Sequence, residues 1–350
     1  MNKRLFTAAA AAHILLTVSP IQAAEPASTY FQHLDWELAC DNTRTCRAAG
    51  YHADDAENRI TILLTRNAGP GAPVRVQLQL GDTQSAYPAA LQMRVDRRSL
   101  GQVRLDNNAH GELSAAQTAA LLPALLKNAA LAWCADGETW TVSTKGANAV
   151  LLKMDEFQGR LGTPGALVRK GRLAESTVPQ ALPIPEVAAV RVSDDKADSR
   201  LIPAAQRTAL LADLRKTLGQ KDDNSCDDFN ENAKDPAKLT IVRLSPSRLL
   251  VSMGCYVGAY NSGDAYWVIN DRQPYSPVLV TNAASDYARG QLFFSQRGRG
   301  IGDCMSSDTW AWDGQRFIHT SSLSTGMCKE IAAGGAWELP TLVTKVVKPR

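Results

Sequence analysis

Short apolar runs alternate with turn residues along the first third of the chain, from residue 30 to residue 105. The run "VRVQLQL", residues 74–80, places an apolar side chain at every second position, with Arg or Gln between them. A period of two residues is the pattern of a half-buried β-strand. The run "RITILLTR" precedes it, and the loop "NAGPGAP" separates the two. We therefore predict a β-hairpin over these two runs, within a mostly β region.

A helical pattern interrupts this alternation at "GELSAAQTAALLPALLKNAALAW". It predicts a helix near residues 114–130, with Ser114 in the N-cap position that serine favours. Pro123 lies inside the run, and a proline in a helix interior removes a backbone hydrogen bond. We therefore expect this helix to kink or divide at Pro123.

A second helical pattern covers residues 147–161 and predicts a helix that packs on a sheet. Asp155 and Glu156 are adjacent on it, so their side chains point roughly 100° apart and cannot flank one glycosidic bond. We expect these two carboxylates to cap or form salt bridges locally. The apolar stripe that predicts the helix consists of Val150, Met154, Phe157 and Leu161.

A proline-containing segment follows, "STVPQALPIPEVAAV", with Pro179, Pro183 and Pro185 close together. Stiff, extended segments of this kind commonly join domains, so we predict a linker over residues 176–200. Beyond it, "PAAQRTALLADLRKTLG" begins with Pro203 and ends on Gly219, which is the expected asymmetry of a helix.

The remaining chain alternates short strand patterns with turns, and "WAWDGQRF" places Asp-Gly between alternating residues, a strong hairpin signal. The predicted fold is α+β and mostly β, with two antiparallel-sheet domains that each have one or two flanking helices and are stapled by disulfides. The N-terminal domain covers residues 24–175 and the C-terminal domain residues 201–350. Two domains also suit a chain of 350 residues.

Residues 1–23 have the pattern of a secretory signal peptide. Lys3 and Arg4 precede the apolar run "LFTAAAAAHILLTV", and small residues follow in "SPIQAAE", so we expect cleavage near Ala23. The apolar run is too short for a transmembrane helix of about 20 residues. We therefore expect a periplasmic protein without a transmembrane segment.

The charge balance gives no reason to expect nucleic-acid binding. The whole chain has 38 basic and 35 acidic residues. Loss of residues 1–23 removes two basic residues, Lys3 and Arg4, and leaves 36 against 35, a net charge of +1. A near-neutral protein lacks the basic surface that attracts nucleic acid.

Cys40 and Cys46 raise three alternatives: a metal ligand pair, a redox couple or a structural disulfide. Their spacing is not the C-x-x-C of thiol redox proteins, and no second pair or histidine spacing completes a zinc site. Export permits disulfides. We therefore predict a structural disulfide between them.

Two further disulfides are predicted in the second domain. Cys304 and Cys328 bracket the "WAWDGQRFIHT" hairpin, and Cys226 and Cys255 are the other cysteines of that domain. Cys134 is then left over, and we expect a free, partly buried thiol. The alternative is that Cys134 pairs with Cys40 or Cys46.

Candidate catalytic chemistry is sparse. Four histidines remain after the signal peptide, with no spacing typical of a metal site or a catalytic motif, and we expect them to be surface residues. No G-x-S-x-G motif occurs, and "GRGIGD" lacks the lysine of a phosphate-binding loop. Catalytic residues therefore stay unknown, and we expect no cofactor and no metal.

One cluster has the composition of a binding patch, because guanidinium and indole groups near loops are typical of such surfaces. If its two tryptophans lie on one strand, they share a face, which can equally be part of the core. The cluster consists of Arg297, Arg299, Asp303, Trp310 and Trp312.

Four stretches together resemble the exported bacterial family called domain of unknown function 1176: Trp36 with Cys40 and Cys46, "MDEFQGRLGT", "RGRGIGDC" and "WAWDGQRF". The first half is also similar to the invasion-associated locus B proteins, which are small periplasmic β domains. The resemblance implies an exported β protein and no defined chemistry. After the last cysteine it implies Arg-Gly, where this chain has Lys329 and Glu330, which argues against a role for that corner.

The leading hypothesis is a non-catalytic envelope protein that binds an envelope protein or glycan partner, or has a structural role. The first alternative is an envelope hydrolase whose site forms only in the fold, which requires a pocket with titratable groups. The second alternative is a periplasmic enzyme inhibitor, since small disulfide-stapled β domains suit that role.

Overall fold

The computed structural model describes residues 28–81, 86–192, 195–218, 226–227, 229 and 235–348. The predicted signal peptide, residues 1–23, lies outside the described residues. Among those that are described, no helix is both long enough and apolar enough to cross a membrane.

The first sheet has six antiparallel strands. In their order across the sheet they are β1 (Thr29–His33), β2 (Trp36–Cys40), β3 (Cys46–Tyr51), β4 (Ile60–Arg66), β5 (Val74–Leu80) and β8 (His110–Glu112). Ile60 pairs with Leu80 and Arg66 with Val74, so β4 and β5 form the predicted hairpin.

A second sheet and two helices cover the inner face of this first sheet. The four strands, in their order across the sheet, are β10 (Glu138–Thr141), β9 (Leu131–Ala135), β6 (Ala90–Val95) and β7 (Arg98–Arg104). Helix α1 (Ala115–Leu126) begins with a capping box, in which the Ser114 side chain accepts a hydrogen bond from the Gln117 amide, and Pro123 lies inside it. The predicted N-cap is therefore confirmed.

Helix α2 (Ala147–Phe157) is shorter than the predicted helix over 147–161. The reason is Gly159, whose φ of +66° is the left-handed conformation that commonly follows a helix. Val150 and Met154 are fully buried in the core between the two sheets, as their stripe predicts.

The C-terminal part has three layers. Helix α3 (Ala204–Thr217) packs on a four-stranded antiparallel sheet, and a five-stranded antiparallel sheet covers the other face of that sheet. The four-stranded sheet consists of β12 (Thr240–Ser245), β13 (Arg248–Val257), β14 (Ser262–Asn270) and β15 (Val278–Ala284). The five-stranded sheet consists of β16 (Asp286–Ala288), β17 (Gln291–Arg297), β18 (Met305–Trp312), β19 (Phe317–Ser324) and β20 (Leu339–Leu342).

The predicted linker, residues 176–200, includes a short strand, β11 (Glu186–Ala188), which pairs in parallel with β21 (Lys345–Val347). The Leu182 amide also donates a hydrogen bond to the Thr43 carbonyl, 3.2 Å away. The division of the chain into domains at this segment stays a prediction.

The C-terminal segment covers the outer face of the first sheet. Trp337 is buried there, and its indole N–H donates to the hydroxyl of Thr61 at 2.9 Å. The Asn42 side chain donates to the Val343 carbonyl at 3.0 Å and accepts from the Val343 amide at 2.7 Å. Both faces of β2 are therefore covered, which explains why all five of its residues are buried.

The three predicted disulfides are confirmed, as is the mostly β, α+β fold with antiparallel sheets and flanking helices. Cys134 forms no disulfide and is half-buried, so it does not pair with Cys40 or Cys46. The bridges join Cys40 to Cys46, Cys226 to Cys255, and Cys304 to Cys328.

Candidate functional site

The structure divides the five residues of the predicted binding patch: Arg299 and Asp303 contact each other, whereas the two tryptophans lie elsewhere. Trp310 pairs with Leu292 across β17 and β18, whereas Arg297 pairs with Met305 at the other end of the same two strands. Five residues of strand separate the two positions, about 17 Å. Trp312 has no exposed surface and packs on Phe317 in the core. Its indole is therefore out of reach of a ligand.

Arg299 and Asp303 form a two-point ion pair, with guanidinium to carboxylate distances of 2.8 and 2.5 Å. The Asp303 carboxylate also accepts from the Glu330 amide at 2.7 Å. The hydrogen bonds from Arg299 lower the pKa of Asp303 below its ordinary value. These charges satisfy one another at the corner beside the last disulfide, and a binding role for the patch stays a prediction.

Asp303 also lies close to the sulfurs of Cys304 and Cys328, close enough in geometry for a shared ion. The two sulfurs are bonded to each other in a disulfide. Because metal binding by cysteine requires a thiolate, the oxidised pair does not supply such ligands.

A buried carboxylate, Glu37, lies beneath an open cleft of about 830 Å³ at the junction of the two halves. It accepts hydrogen bonds from the Tyr51 hydroxyl at 2.5 Å, the Tyr30 hydroxyl at 2.8 Å and the Met327 amide at 2.8 Å. Burial raises the pKa of Glu37 above its ordinary value. Burial, with the charge of Glu37 as a second cause, raises the pKa of Tyr51 well above its ordinary value.

Glu37 is fully buried and both of its oxygens are engaged, so this carboxylate is poorly placed to exchange a proton with a molecule in the cleft. Three of the charged residues at the rim pair with one another. Lys329 lies 3.3 Å from Asp35 and 2.5 Å from Asp54, and its hydrogen bond lowers the pKa of Asp54. We interpret the cleft as a joint between segments, because Lys329 and Asp35 connect the C-terminal segment to the first sheet across it.

A second concave region opens at the edge of the C-terminal sandwich, and we call it the His319 groove. It consists of two adjoining pockets of about 300 and 510 Å³ that share Arg316, Phe317 and His319. The other residues lining the smaller pocket are Arg248, Val268, Val278, Leu279, Val280, Trp310 and Gln315. Those lining the larger pocket are Ser28, Asn42, Pro185, Val187, Ile318, Ser322, Thr341, Leu342 and Thr344.

A β-bulge positions the aromatic part of the groove. The register of β18 and β19 shifts between Thr309 and Trp310, so that Trp310 faces His319. The two rings stack with centroids 4.8 Å apart and an interplanar angle of 19°. Asp308 lies 2.8 Å from Nε2 of His319 and fixes the orientation of the imidazole. The result is a rigid aromatic stack beside an apolar wall.

The predicted turn at Asp313 and Gly314 places Arg316 at the rim. The Asp313 carboxylate accepts from the amides of Gln315 and Arg316 at 2.7 and 2.8 Å, and Gly314 has a φ of +103°. This φ lies where glycine has little steric penalty, which suits the tight hairpin. Arg316 thus lies directly before β19, at the end of a fixed turn, with its side chain 78% exposed.

The charged side chains that the described residues contribute to the lining of the groove are basic. Among the described residues that line its two pockets, none is Asp or Glu, whereas Arg248 and Arg316 are both present. Asp313 lies 3.9 Å from the Arg316 guanidinium, and Arg248 hydrogen-bonds to the neutral side chain of Asn270. Their charge is therefore less compensated than that of the cleft above Glu37, and it favours an anionic ligand.

Sequence reasoning included Trp310 in a candidate patch but treated His319 as a surface residue and did not select Arg248 or Arg316. The predicted hairpin already places His319 near Trp310, so the sequence contained enough information to assign both residues to one candidate site. Arg248 comes from another sheet, and no local pattern connects it to the hairpin. Glu37 was also missed, although a lone carboxylate in the apolar run "WELAC" is unusual.

Comparison with known families gives a match over nearly the whole described chain. The profile of the family described as "Protein of unknown function (DUF1176)" matches residues 30–344, so this chain belongs to that family. The chain is also similar to the uncharacterized protein YpfG of Escherichia coli (strain K12), with 26% identity over 359 residues, covering 94% of this chain and 95% of that protein. No solved structure matches. The similarity of the first half to the invasion-associated locus B proteins stays a prediction.

Proposed function

We propose that this member of the DUF1176 family is an exported, non-catalytic binding protein of the bacterial envelope, whose ligand occupies the His319 groove. The observation that carries the proposal is the combination of an aromatic stack with two weakly compensated arginines in a concave site. Small-molecule sites are typically concave and mostly apolar, with a few polar groups that fix the ligand.

Three disulfides support a location outside the cytoplasm, because cytoplasmic thiols are kept reduced. The signal-peptide pattern of residues 1–23 supports export. Cell fractionation followed by N-terminal sequencing tests this part of the proposal. We expect the protein in the periplasmic fraction, with a mature N-terminus near residue 24, and an uncleaved cytoplasmic protein would contradict it.

The second candidate function is an envelope hydrolase, and the hydrogen bond between His319 and Asp308 is the observation that favours it. A histidine oriented by a carboxylate is a common general base. Against it, Nε2 of His319 is occupied by Asp308, and the imidazole face stacks on Trp310. Among the described residues, no hydroxyl or thiol is hydrogen-bonded to His319, so no activated nucleophile accompanies it.

Native mass spectrometry of the mature protein with an envelope glycan digest tests binding against hydrolysis. We expect a one-to-one complex in which the mass of the bound molecule stays constant with time. The complex should be lost in Arg316→Ala. Steady conversion of the added molecules by the wild type, absent in His319→Ala, would instead support the hydrolase.

A further inference from the structure

We propose that the His319 groove binds an acidic carbohydrate of more than one sugar ring, an inference that rests on the proposed binding function. Two pockets that share lining residues, together with an aromatic stack and two arginines at the smaller pocket, define this ligand class.

The aromatic stack suits a sugar ring. Trp310 and His319 are nearly parallel, with an interplanar angle of 19°, and both contribute to the lining of the smaller pocket. A pyranose ring has flat faces with outward C–H groups, and burying such a face against an aromatic ring removes apolar surface from water on both sides. The Asp308 hydrogen bond holds the His319 ring in place, so little side-chain freedom is lost on binding.

The charge of the groove selects an acidic ligand. Arg248 and Arg316 line the smaller pocket, and a guanidinium can donate two parallel hydrogen bonds to a carboxylate or phosphate. One nitrogen of Arg248 already donates to Asn270, which leaves its other N–H groups for a ligand. The carboxylate of Asp313 is 3.9 Å from Arg316, too far for a hydrogen bond, so the donors of Arg316 are available.

The larger pocket indicates a sugar chain and not an acyl chain. Its lining includes the hydroxyl-bearing side chains of Ser322, Thr341 and Thr344. An acyl chain laid over them would remove water from these hydroxyls without replacing its hydrogen bonds, which is unfavourable. The hydroxyls of a second sugar ring supply those hydrogen bonds. The pockets, about 300 and 510 Å³, share Arg316, Phe317 and His319 in their linings, so a sugar chain that passes over these residues can reach both.

Isothermal titration calorimetry of the mature protein tests the inference with three probes: trigalacturonic acid, neutral maltotriose and glucose 1-phosphate. We expect the acidic trisaccharide to bind at least 10-fold more tightly than maltotriose, and its affinity to fall as sodium chloride is raised. Glucose 1-phosphate should bind more weakly than the trisaccharide, because it fills only the smaller pocket. Binding of glucose 1-phosphate as tight as that of trigalacturonate would contradict the inference, because one sugar ring with an anionic group would then account for all of the affinity.

Variants identify the site. Arg316→Ala should weaken trigalacturonate binding at least 10-fold, and His319→Ala should weaken both the acidic and the neutral trisaccharide. The matched control is Arg200→Ala, because Arg200 is also a largely exposed arginine near an aspartate, and it is outside the groove lining. Circular dichroism should show the same fold for all variants.

The outcomes separate this inference from the proposed function. Equal binding of maltotriose and trigalacturonate, or no effect of Arg316→Ala, overturns the acidic-carbohydrate inference. If no probe binds at millimolar concentration but native mass spectrometry still shows an Arg316-dependent envelope ligand, the ligand class is wrong and the binding function stands. If neither experiment shows a ligand, both are wrong.

Discussion

The carboxylate of Glu37 accepts a hydrogen bond from the backbone amide of Met327, 2.8 Å away in space and 290 residues later in the chain. The same oxygen accepts from the Tyr51 hydroxyl at 2.5 Å, on the neighbouring strand. Glu37 is on the outer face of β2, where the C-terminal segment covers it. One buried carboxylate thus fixes the segment after the last cysteine to the first sheet.

Replacing this carboxylate by a hydrocarbon should destabilise the protein strongly. Glu37→Leu leaves the buried Tyr51 hydroxyl without its acceptor, whereas the Met327 amide keeps a second acceptor, the Tyr51 oxygen at 3.1 Å. One unsatisfied buried group costs about 1–3 kcal/mol, so we expect a loss of that size in the free energy of unfolding, measured by urea denaturation. A loss below 0.5 kcal/mol would show that water replaces the acceptor without cost.

Glu37→Gln should preserve the fold and change how stability depends on pH. The amide keeps an oxygen for Tyr51 and Met327, and its NH2 group can donate to the Tyr30 hydroxyl. Burial raises the pKa of Glu37 in the folded state, so the folded protein holds its proton more tightly than the unfolded chain. Its contribution to stability is therefore complete below the ordinary pKa of 4.5 and is lost as pH rises through the folded-state pKa.

Thermal melts of the wild type and Glu37→Gln over pH 4–8 measure this effect, and their difference cancels the other titrating groups. We expect the melting temperature of the wild type to fall relative to Glu37→Gln as pH rises above 4.5. A difference that is constant with pH would mean that the Glu37 pKa is the same in the folded and unfolded states.

A single methyl group at Gly298 should disturb the last disulfide. An added Cβ would lie 2.6 Å from the sulfur of Cys304 and 2.9 Å from that of Cys328, closer than any normal contact. Overpacking of this kind costs about 1–3 kcal/mol. We expect Gly298→Ala to lower the melting temperature and, when dithiothreitol is added as reductant, to let the Cys304–Cys328 disulfide be reduced faster than in the wild type.

Gly300→Ala is the matched control for this change. It lies two residues away in the same loop, and its added Cβ would meet only the Tyr260 ring, at an ordinary distance of 3.8 Å. We expect its melting temperature and its rate of disulfide reduction by dithiothreitol to equal those of the wild type. Equal behaviour of the two variants would contradict a tight contact at Gly298.

Asp155 and Glu156 are adjacent carboxylates with very different environments. Asp155 is fully buried and accepts from the amides of Leu167 and Val168 at 2.7 and 2.8 Å, whereas Glu156 pairs with Lys153 on the surface. Asp155→Ala leaves two partly buried amides unpaired and the buried Arg66 without its carboxylate, which should cost about 3–5 kcal/mol. Glu156→Ala should cost at most about 0.5 kcal/mol. Similar unfolding free energies of the two variants would refute this contrast.

Local features of the fold were predictable from sequence because they depend on neighbouring residues. The β4–β5 hairpin follows from an alternation on either side of one Gly/Pro loop, and the Cys304–Cys328 disulfide from a hairpin that returns both ends to one edge. The predicted end of α2 was wrong by four residues, because the left-handed φ of Gly159 ends the helix before the apolar stripe does.

The sites depend on contacts between distant segments, and no sequence period encodes those. Glu37 is bound by Met327, and Trp337 by Thr61, across sequence separations of 290 and 276 residues. Burial of a glutamate in a strand depends on what covers the second face of its sheet. Trp310 and Trp312 share one face of β18, as the alternation predicts, yet one borders the groove and the other is core.

Limited proteolysis tests two features together. One is the predicted boundary at residues 176–200, and the other is the joint, by which we mean the contacts around Glu37 and Trp337 that hold the C-terminal segment on the first sheet. Most of residues 181–190 are exposed, so we expect the first cuts of mature protein within 176–200. The two fragments should still elute together in gel filtration, because Trp337 is buried against the first sheet and Lys329 pairs with Asp35 across the joint. They should separate on a denaturing gel.

Trp337→Ala removes the largest side chain of this joint, and large-to-small changes of a buried tryptophan cost about 3–5 kcal/mol. The nicked variant should therefore dissociate into two fragments under native conditions, whereas the nicked wild type stays associated. First cuts inside β5 or β14 would contradict the boundary. Immediate separation of the wild-type fragments would contradict the joint, because it would mean that the buried contacts around Trp337 and Glu37 contribute too little to hold the two halves together.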